Sequence, residues 1–123
     1  MIGATSNSPI SRLRKVHEGT AFTAYSIWDI YRAENSLLTL MAPERIDGMV
    51  RFLLQDYAEG AFMPKWPNPS YTNIMIATHA DSLVAEAGAK GFKDFNLQQA
   101  YAAVAKDATV PPDGIVTLTG ARR

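Results

Sequence analysis

The chain has 123 residues, of which 47% are hydrophobic and 20% are charged. This length suits one compact domain, and the composition excludes wholesale disorder. Lys plus Arg and Asp plus Glu number 12 each, so no net charge favours nucleic acid or an anionic membrane as a partner. The absence of cysteine excludes disulfides, thiolate nucleophiles and cysteine-based metal sites.

The N-terminal part, residues 1–24, shows no sustained hydrophobic period and is predicted to be irregular. Its start lacks an apolar core followed by a small-residue cleavage site, so no signal peptide is predicted. No apolar run reaches the roughly 18 residues of a membrane span. The sequence therefore assigns no compartment.

A first helix is predicted over residues 27–40. Ser26 is a natural N-cap, and Asp29 then falls at the third helical position, where a carboxylate can serve free backbone N–H groups. Pro43 ends the helix, because proline disfavours helical geometry in the residue before it. Asp29 and Arg32 are three residues apart and can pair on one helix face. Spacing alone leaves open whether they form a local ion pair or part of a site.

A second helix is predicted over residues 44–58, with Pro43 suited to its first turn and Gly60 as its stop. Apolar residues recur in it at helical spacing: Ile46, Met49, Val50, Leu53, Leu54 and Tyr57. The polar residues predicted to face water are Arg45, Asp47, Arg51, Gln55 and Asp56.

A long connection, residues 61–77, follows the second helix. Its three prolines forbid regular helix, and it far exceeds the usual ~2–8 residues of a helix–helix connection. Long loops of this kind are commonly functional. The loop contains Trp66 and Asn73, and His79 follows its far end. For Trp66, ligand stacking and packing within the loop are equally compatible with the sequence.

Two shorter helices are predicted over residues 80–89 and 97–107. Each begins with a capping signal, T-H-A-D from Thr78 and N-L-Q-Q from Asn96. Four helices in two hairpins predict an all-α fold. The strand-like exceptions are the short segments NIMIA and GIVTL.

Three motifs together resemble a known family. They are S-x-W-D-x-Y-R-x-E at 26–34, P-x-W-x-N-P at 64–69 and T-N-I-M-I-x-T-H-A-D at 72–81. Over residues 15–114 the chain resembles glycoside hydrolase family 92, which comprises calcium-dependent, inverting exo-α-mannosidases. The resemblance implies part of an (α/α)6 toroid, of which two helical hairpins would be one third.

The resemblance also implies a division of the chain. Residues 1–14 would be an irregular N-terminal segment, residues 15–114 a partial catalytic domain, and residues 115–123 an atypical C-terminal tail. The family's catalytic acid and base and its calcium ligands are expected on later hairpins. No catalytic or metal-binding residue is therefore predicted within this chain.

Substrate-binding roles do transfer by resemblance. Asp29 is similar to the family's aspartate that hydrogen-bonds mannose hydroxyls in the subsite of the cleaved sugar. Trp66 is similar to the loop tryptophan that lines the same pocket. Arg32, Asn73 and His79 match motif positions and are expected to support the site, with Arg32 fixing the orientation of Asp29.

The predicted function is that of a segment of an α-mannosidase that acts on N-glycans with inversion and is inactive alone. Its expected partners are a mannose-containing glycan and the remainder of the same catalytic domain, with neither nucleic acid nor membrane. Two alternatives remain open. One is a non-catalytic helical module that binds a sugar or a protein through the Trp66 loop, and the other is a remnant without a stable fold.

Overall fold

The structure, a computed structural model, describes residues 18–22, 26–67 and 77–111. Within these ranges the chain forms helices and no strand, which confirms the all-α prediction. The helices are α1 Ile27–Ile30, α2 Glu34–Met41, α3 Pro43–Gly60, α4 His79–Ala89 and α5 Leu97–Thr109. The strand-like segment GIVTL, and NIMIA except for its last residue, lie outside the described residues. None of the helices described is both long and apolar enough to span a membrane.

The predicted first helix is divided in two. α1 ends at Ile30, Tyr31 to Ala33 form a turn, and α2 begins at Glu34. At Ala33, the residue before α2, the backbone stays in the right-handed region but departs from regular helix, with φ −119° and ψ −47°. The sequence has neither proline nor glycine at this turn. A prediction from hydrophobic periodicity alone therefore continues the helix through it.

The predicted N-cap residues differ in whether their side chains form a capping hydrogen bond. Asn96 Oδ1 accepts a hydrogen bond from the backbone N–H of Gln99 at 3.0 Å, as the sequence predicts. Ser26 occupies the cap position of α1 in extended geometry, but its side chain makes no cap hydrogen bond. Its Oγ is buried and has no hydrogen-bond partner. Thr78 likewise precedes α4 without a side-chain cap bond.

The hydrophobic core is organised around α3, against which α2, α4 and α5 all pack. Its predicted apolar face is buried, with Leu53 fully enclosed and Val50 2% exposed. Burial of one such side chain contributes about 1.5–3 kcal/mol. The remaining helix, α1, packs on α4, its Ile27 is fully buried, and Tyr31 in the turn that follows stacks on His79.

One polar residue of α3 lies opposite to its predicted position. Asp56 was expected to face water, yet it is 3% exposed. It follows Leu53 by three residues and Met49 by seven, so it shares their side of the helix. The polar character of Asp56 predicted exposure to solvent, but its position in the helical repeat of α3 directs the side chain into the core.

A polar network fixes α2 on α4. Glu86 accepts hydrogen bonds from Asn35 Nδ2 at 2.8 Å and from Ser36 Oγ at 2.6 Å, and it pairs with Lys90 Nζ at 2.7 Å. Lys90 also donates to Thr39 Oγ1 at 2.7 Å. The bonds from Lys90 and Ser36 lower the pKa of Glu86. Because the buried Asn35 and Thr39 are both satisfied, the network selects one register of the two helices.

The contrast between the caps gives a matched test of stability. Ser26→Ala is expected to leave the free energy of unfolding unchanged or to raise it, because it removes a buried hydroxyl without a partner. Asn96→Ala is expected to lower it by about 1 kcal/mol, the usual cost of a lost cap. Chemical denaturation of both variants measures the difference. A loss of about 1 kcal/mol for Ser26→Ala would show that its hydroxyl caps α1 after all.

Candidate functional site

The predicted site residues lie at the ends of helices and in the loop after α3. Asp29 is near the end of α1 and is exposed, and Arg32 is exposed in the turn that follows. His79 is the first residue of α4 and is half-buried. Trp66 is half-buried in the loop after α3. Asn73 lies outside the described residues, so its predicted role stays a prediction.

An aromatic stack connects two of the predicted residues. The rings of Tyr31 and His79 are nearly parallel, with centroids 4.0 Å apart and an interplanar angle of 13°. The guanidinium of Arg32 lies over the Tyr31 ring, with its central carbon 5.8 Å from the ring centroid. Arg32 Nη2 also donates a hydrogen bond to Tyr31 Oη at 3.4 Å. Tyr31 therefore brings Arg32 and His79 together at the junction of α1 and α4. Sequence reasoning did not assign Tyr31 a role, although it belongs to the same motif.

The expected contact between Asp29 and Arg32 is not formed. Among the described residues the two side chains make no ion pair, and Arg32 turns to Tyr31 instead. Residues three apart are neighbours on a continuous helix, but α1 ends at Ile30, before Arg32. The structure therefore gives no support to Arg32 as the residue that orients Asp29. It leaves the carboxylate of Asp29 exposed.

Buried polar atoms without hydrogen-bond partners gather near the same junction. In the described part of the chain three of them are Ser26 Oγ before α1, and His79 Nε2 and Asp81 Oδ1 in the first turn of α4, while a fourth, Asp56 Oδ2, lies in the core on α3. Because α1 packs on α4, the first three groups belong to one region. Unsatisfied buried groups are rare in folded proteins and concentrate where structure serves function. The elements that meet at this junction therefore carry three buried polar atoms that a ligand or water could satisfy.

The segment 61–67, called the Trp66 loop below, is anchored by its apolar residues. Pro64 and Pro67 are fully buried, and Met63 is 2% exposed. Trp66 lies between the two prolines and is half-buried. Buried prolines restrict the backbone on both sides of the indole, so the loop presents Trp66 in a restricted orientation.

Three carboxyl groups have raised pKa values that the sequence did not indicate. Burial, followed by the charge of Glu59, raises the pKa of Asp56 to about 8. Burial, followed by the charge of Asp81, raises the pKa of Asp107 to about 6. Burial also raises the pKa of Asp81, against the opposing hydrogen bond from Thr78. Asp56 is too deeply buried to meet a substrate, so its raised pKa reflects its place in the core.

Calcium is the metal that the family resemblance implies. Residues 18–22, 26–67 and 77–111 contain no group of three or more His, Asp or Glu side chains that could hold a metal ion. Calcium prefers six to eight oxygen ligands. The described residues do not fit such a site.

The helical fold and the motifs define a segment of a glycosidase domain. The family model of the Glycosyl hydrolase family 92 catalytic domain matches residues 5–122, and the chain belongs to this family. The match extends beyond residues 15–114, over which the motifs carried the resemblance, on both sides. A comparison with curated proteins found no match.

Solved structures also match the chain. One is the structure of a family GH92 inverting mannosidase from Bacteroides thetaiotaomicron VPI-5482, with 29% sequence identity and a TM-score of 0.78. The match covers 89% of this chain and 14% of the mannosidase chain. The present chain thus spans a small part of the length of that relative.

The buried Asp56 gives a pH-dependent prediction. Its pKa in the folded chain, about 8, exceeds the ordinary 3.8, so folding favours the protonated form. The associated stability is lost as the pH rises from about 4 towards 8. Asp56→Asn cannot ionise, so its stability relative to the wild type should improve with rising pH, by at most ~1.4 kcal/mol per pH unit.

Denaturation of both proteins between about pH 5 and pH 8 checks this expectation. Glu34→Gln removes an exposed carboxylate from the first turn of α2 and is the matched control. Its stability difference from the wild type should stay constant across the same range. A difference for Asp56→Asn that does not change with pH would contradict the burial of an ionisable group.

Proposed function

We propose that the chain is a segment of an α-mannosidase catalytic domain and that it contributes Asp29 and Trp66 to the subsite for the cleaved mannose. The observation that supports this most directly is the family membership, together with a structural match to an inverting mannosidase over 89% of the chain. The proposed substrates are α-mannosidic bonds of N-glycans.

The two residues have the chemistry that a pyranose requires. An ionised carboxylate such as Asp29 accepts hydrogen bonds from neighbouring hydroxyl groups, and an indole such as Trp66 covers the apolar C–H face of the ring. Asp29 is exposed and Trp66 is half-buried, so both present surface to a ligand. His79, held by its stack on Tyr31, and Arg32 support the site from the junction of α1 and α4. Asn73 is proposed to do so as well.

The proposed reaction needs two further carboxyl groups. An inverting glycosidase places an acid and a base about 6.5–9.5 Å apart, with the attacking water between the base and the sugar. We assign both groups to the rest of the domain, and the calcium ligands with them. This chain's contribution is to bind and orient the mannose, and it is inactive alone.

Exposed apolar side chains on two helices support the proposal of a larger domain. On α2, Leu37, Leu40 and Met41 follow one another at helical spacing and are 55%, 78% and 74% exposed. On α5, Leu97 and Tyr101 are 50% and 77% exposed. Each of these helices packs on α3 and α4 with its other side. Adjoining hairpins of the toroid would cover both stripes, since surfaces of this kind usually mark interfaces.

The isolated 123-residue chain is expected to show no α-mannosidase activity, even with calcium, because both catalytic carboxyl groups are assigned elsewhere. Purified chain is incubated with a mannobiose and calcium, and released mannose is measured. A complete family 92 enzyme serves as the positive control. Hydrolysis that persists through further purification, and that Asp29→Asn weakens, would contradict the assignment.

Within a complete enzyme that contains this segment, Asp29→Asn and Trp66→Ala are each expected to lower kcat/KM at least about tenfold. That reduction requires the loss of only ~1.4 kcal/mol of transition-state stabilisation. A charge-assisted hydrogen bond to a sugar hydroxyl contributes about 1.5–3 kcal/mol, enough to account for it.

Steady-state kinetics and thermal melting of the same preparations separate binding from stability. Glu44→Gln, which removes an exposed carboxylate in the first turn of α3, is the matched control and should leave kcat/KM unchanged. If Asp29→Asn lowers Tm and leaves kcat/KM as in the wild type, Asp29 has only a structural role.

A further inference from the structure

Two consecutive residues of α5 hold the start of the Trp66 loop. Lys106 Nζ donates a hydrogen bond to the carbonyl oxygen of Ala61 at 2.6 Å. The backbone N–H of Met63 donates to Asp107 Oδ1 at 3.4 Å. The ammonium of Lys106 also lies over the ring of Phe62, 4.5 Å from its centroid. α5 thus fixes the backbone where the loop leaves α3.

The backbone at Ala61 is one that needs support. Its φ of 69° is in the left-handed region, where helices usually place glycine and where a Cβ costs about 1–2 kcal/mol. Its N–H donates to the carbonyl oxygen of Tyr57 and so ends α3. The C-terminal end of a helix carries partial negative charge, which favours an ammonium group there. Lys106 therefore stabilises a chain reversal that alanine alone disfavours.

This reversal determines the path of the chain to Trp66. Met63, the last of the residues that α5 holds, is buried, as is Pro64 directly after it, and Pro67 is buried directly after the indole. Proline fixes its own φ, so few backbone torsions remain free between Met63 and Trp66. The orientation of the indole therefore depends on where α5 holds the start of the loop.

We propose that Lys106 and Asp107 are positioning residues, which set the orientation of the Trp66 ring by holding residues 61–63. Neither residue is required to touch the sugar. They are expected to affect substrate affinity only through Trp66. This effect on affinity rests on the function proposed above, whereas the positioning role does not.

The test uses the full 123-residue chain with Trp28→Phe, which leaves Trp66 as its one tryptophan. Lys106→Met retains the apolar stem and removes the charged donor, and Asp107→Ala removes the acceptor. Each is expected to raise acrylamide quenching of Trp66 fluorescence at least about twofold below the melting temperature, because the loop opens locally. Lys106→Arg retains a charged donor and is expected to restore the wild-type quenching.

Lys93→Met, which removes an exposed ammonium between α4 and α5, is the matched control and should change nothing. Unchanged quenching in Lys106→Met and Asp107→Ala, with helicity retained in circular dichroism, would overturn the proposal. If Lys106→Met loses its helices, Lys106→Leu, which also lacks a donor, replaces it, and quenching equal to the wild type would then overturn the proposal. A wild-type chain without helices would do so too, because the contacts would not form.

Kinetics of a complete enzyme separate this proposal from the proposed function. Lys106→Met should raise KM at least about threefold and change kcat less, because the loss acts on binding through Trp66. If Trp66→Ala leaves kinetics unchanged while Lys106→Met still raises quenching, the proposed function fails and the positioning role stands. If Trp66→Ala impairs kinetics and Lys106→Met changes neither quenching nor KM, the positioning role fails.

Discussion

Burial of the apolar face of α3 is the constraint on which the rest of the described structure depends. α2, α4 and α5 all pack on this helix, and its most buried side chains, Val50 and Leu53, lie at the centre of the core. The position of α3 therefore determines how the α2–α3 hairpin and the α4–α5 hairpin pack together. The Trp66 loop begins where α3 ends, and the turn that carries Arg32 lies where α1 and α2 join. The candidate residues are thus placed by the core without belonging to it.

Polar groups in the described ranges divide according to whether they are satisfied. The network around Glu86 gives Asn35 and Thr39 their partners and fixes α2 on α4. By contrast, Ser26 and His79 each keep a buried polar atom without a partner near the junction of α1 and α4. Satisfied networks stabilise one arrangement of a fold, whereas each unsatisfied buried group costs stability. The junction of α1 and α4 is therefore where we place the polar part of the candidate site.

The sequence predicted what depends on local patterns and missed what depends on distant contacts. Helical periodicity located the helices. Motif resemblance predicts Asp29 and Trp66 as substrate-binding residues, and this stays a prediction. The same periodicity predicted one continuous first helix across Tyr31, because neither proline nor glycine marks a break there. The stack of Tyr31 on His79 and the hold of Lys106 on the Trp66 loop join residues more than forty positions apart. Single-sequence patterns report neighbours along a helix and contain no comparable signal for such contacts.

We propose that this segment binds the cleaved mannose through Asp29 and Trp66. A crystal structure of a complete catalytic domain that contains the segment, with a mannose-configured inhibitor bound, tests it most directly. The account predicts a carboxylate oxygen of Asp29 within about 3 Å of a sugar hydroxyl and the indole of Trp66 against the sugar ring. An inhibitor bound in the active site with Asp29 in solvent and Trp66 packed away from the ligand would contradict it.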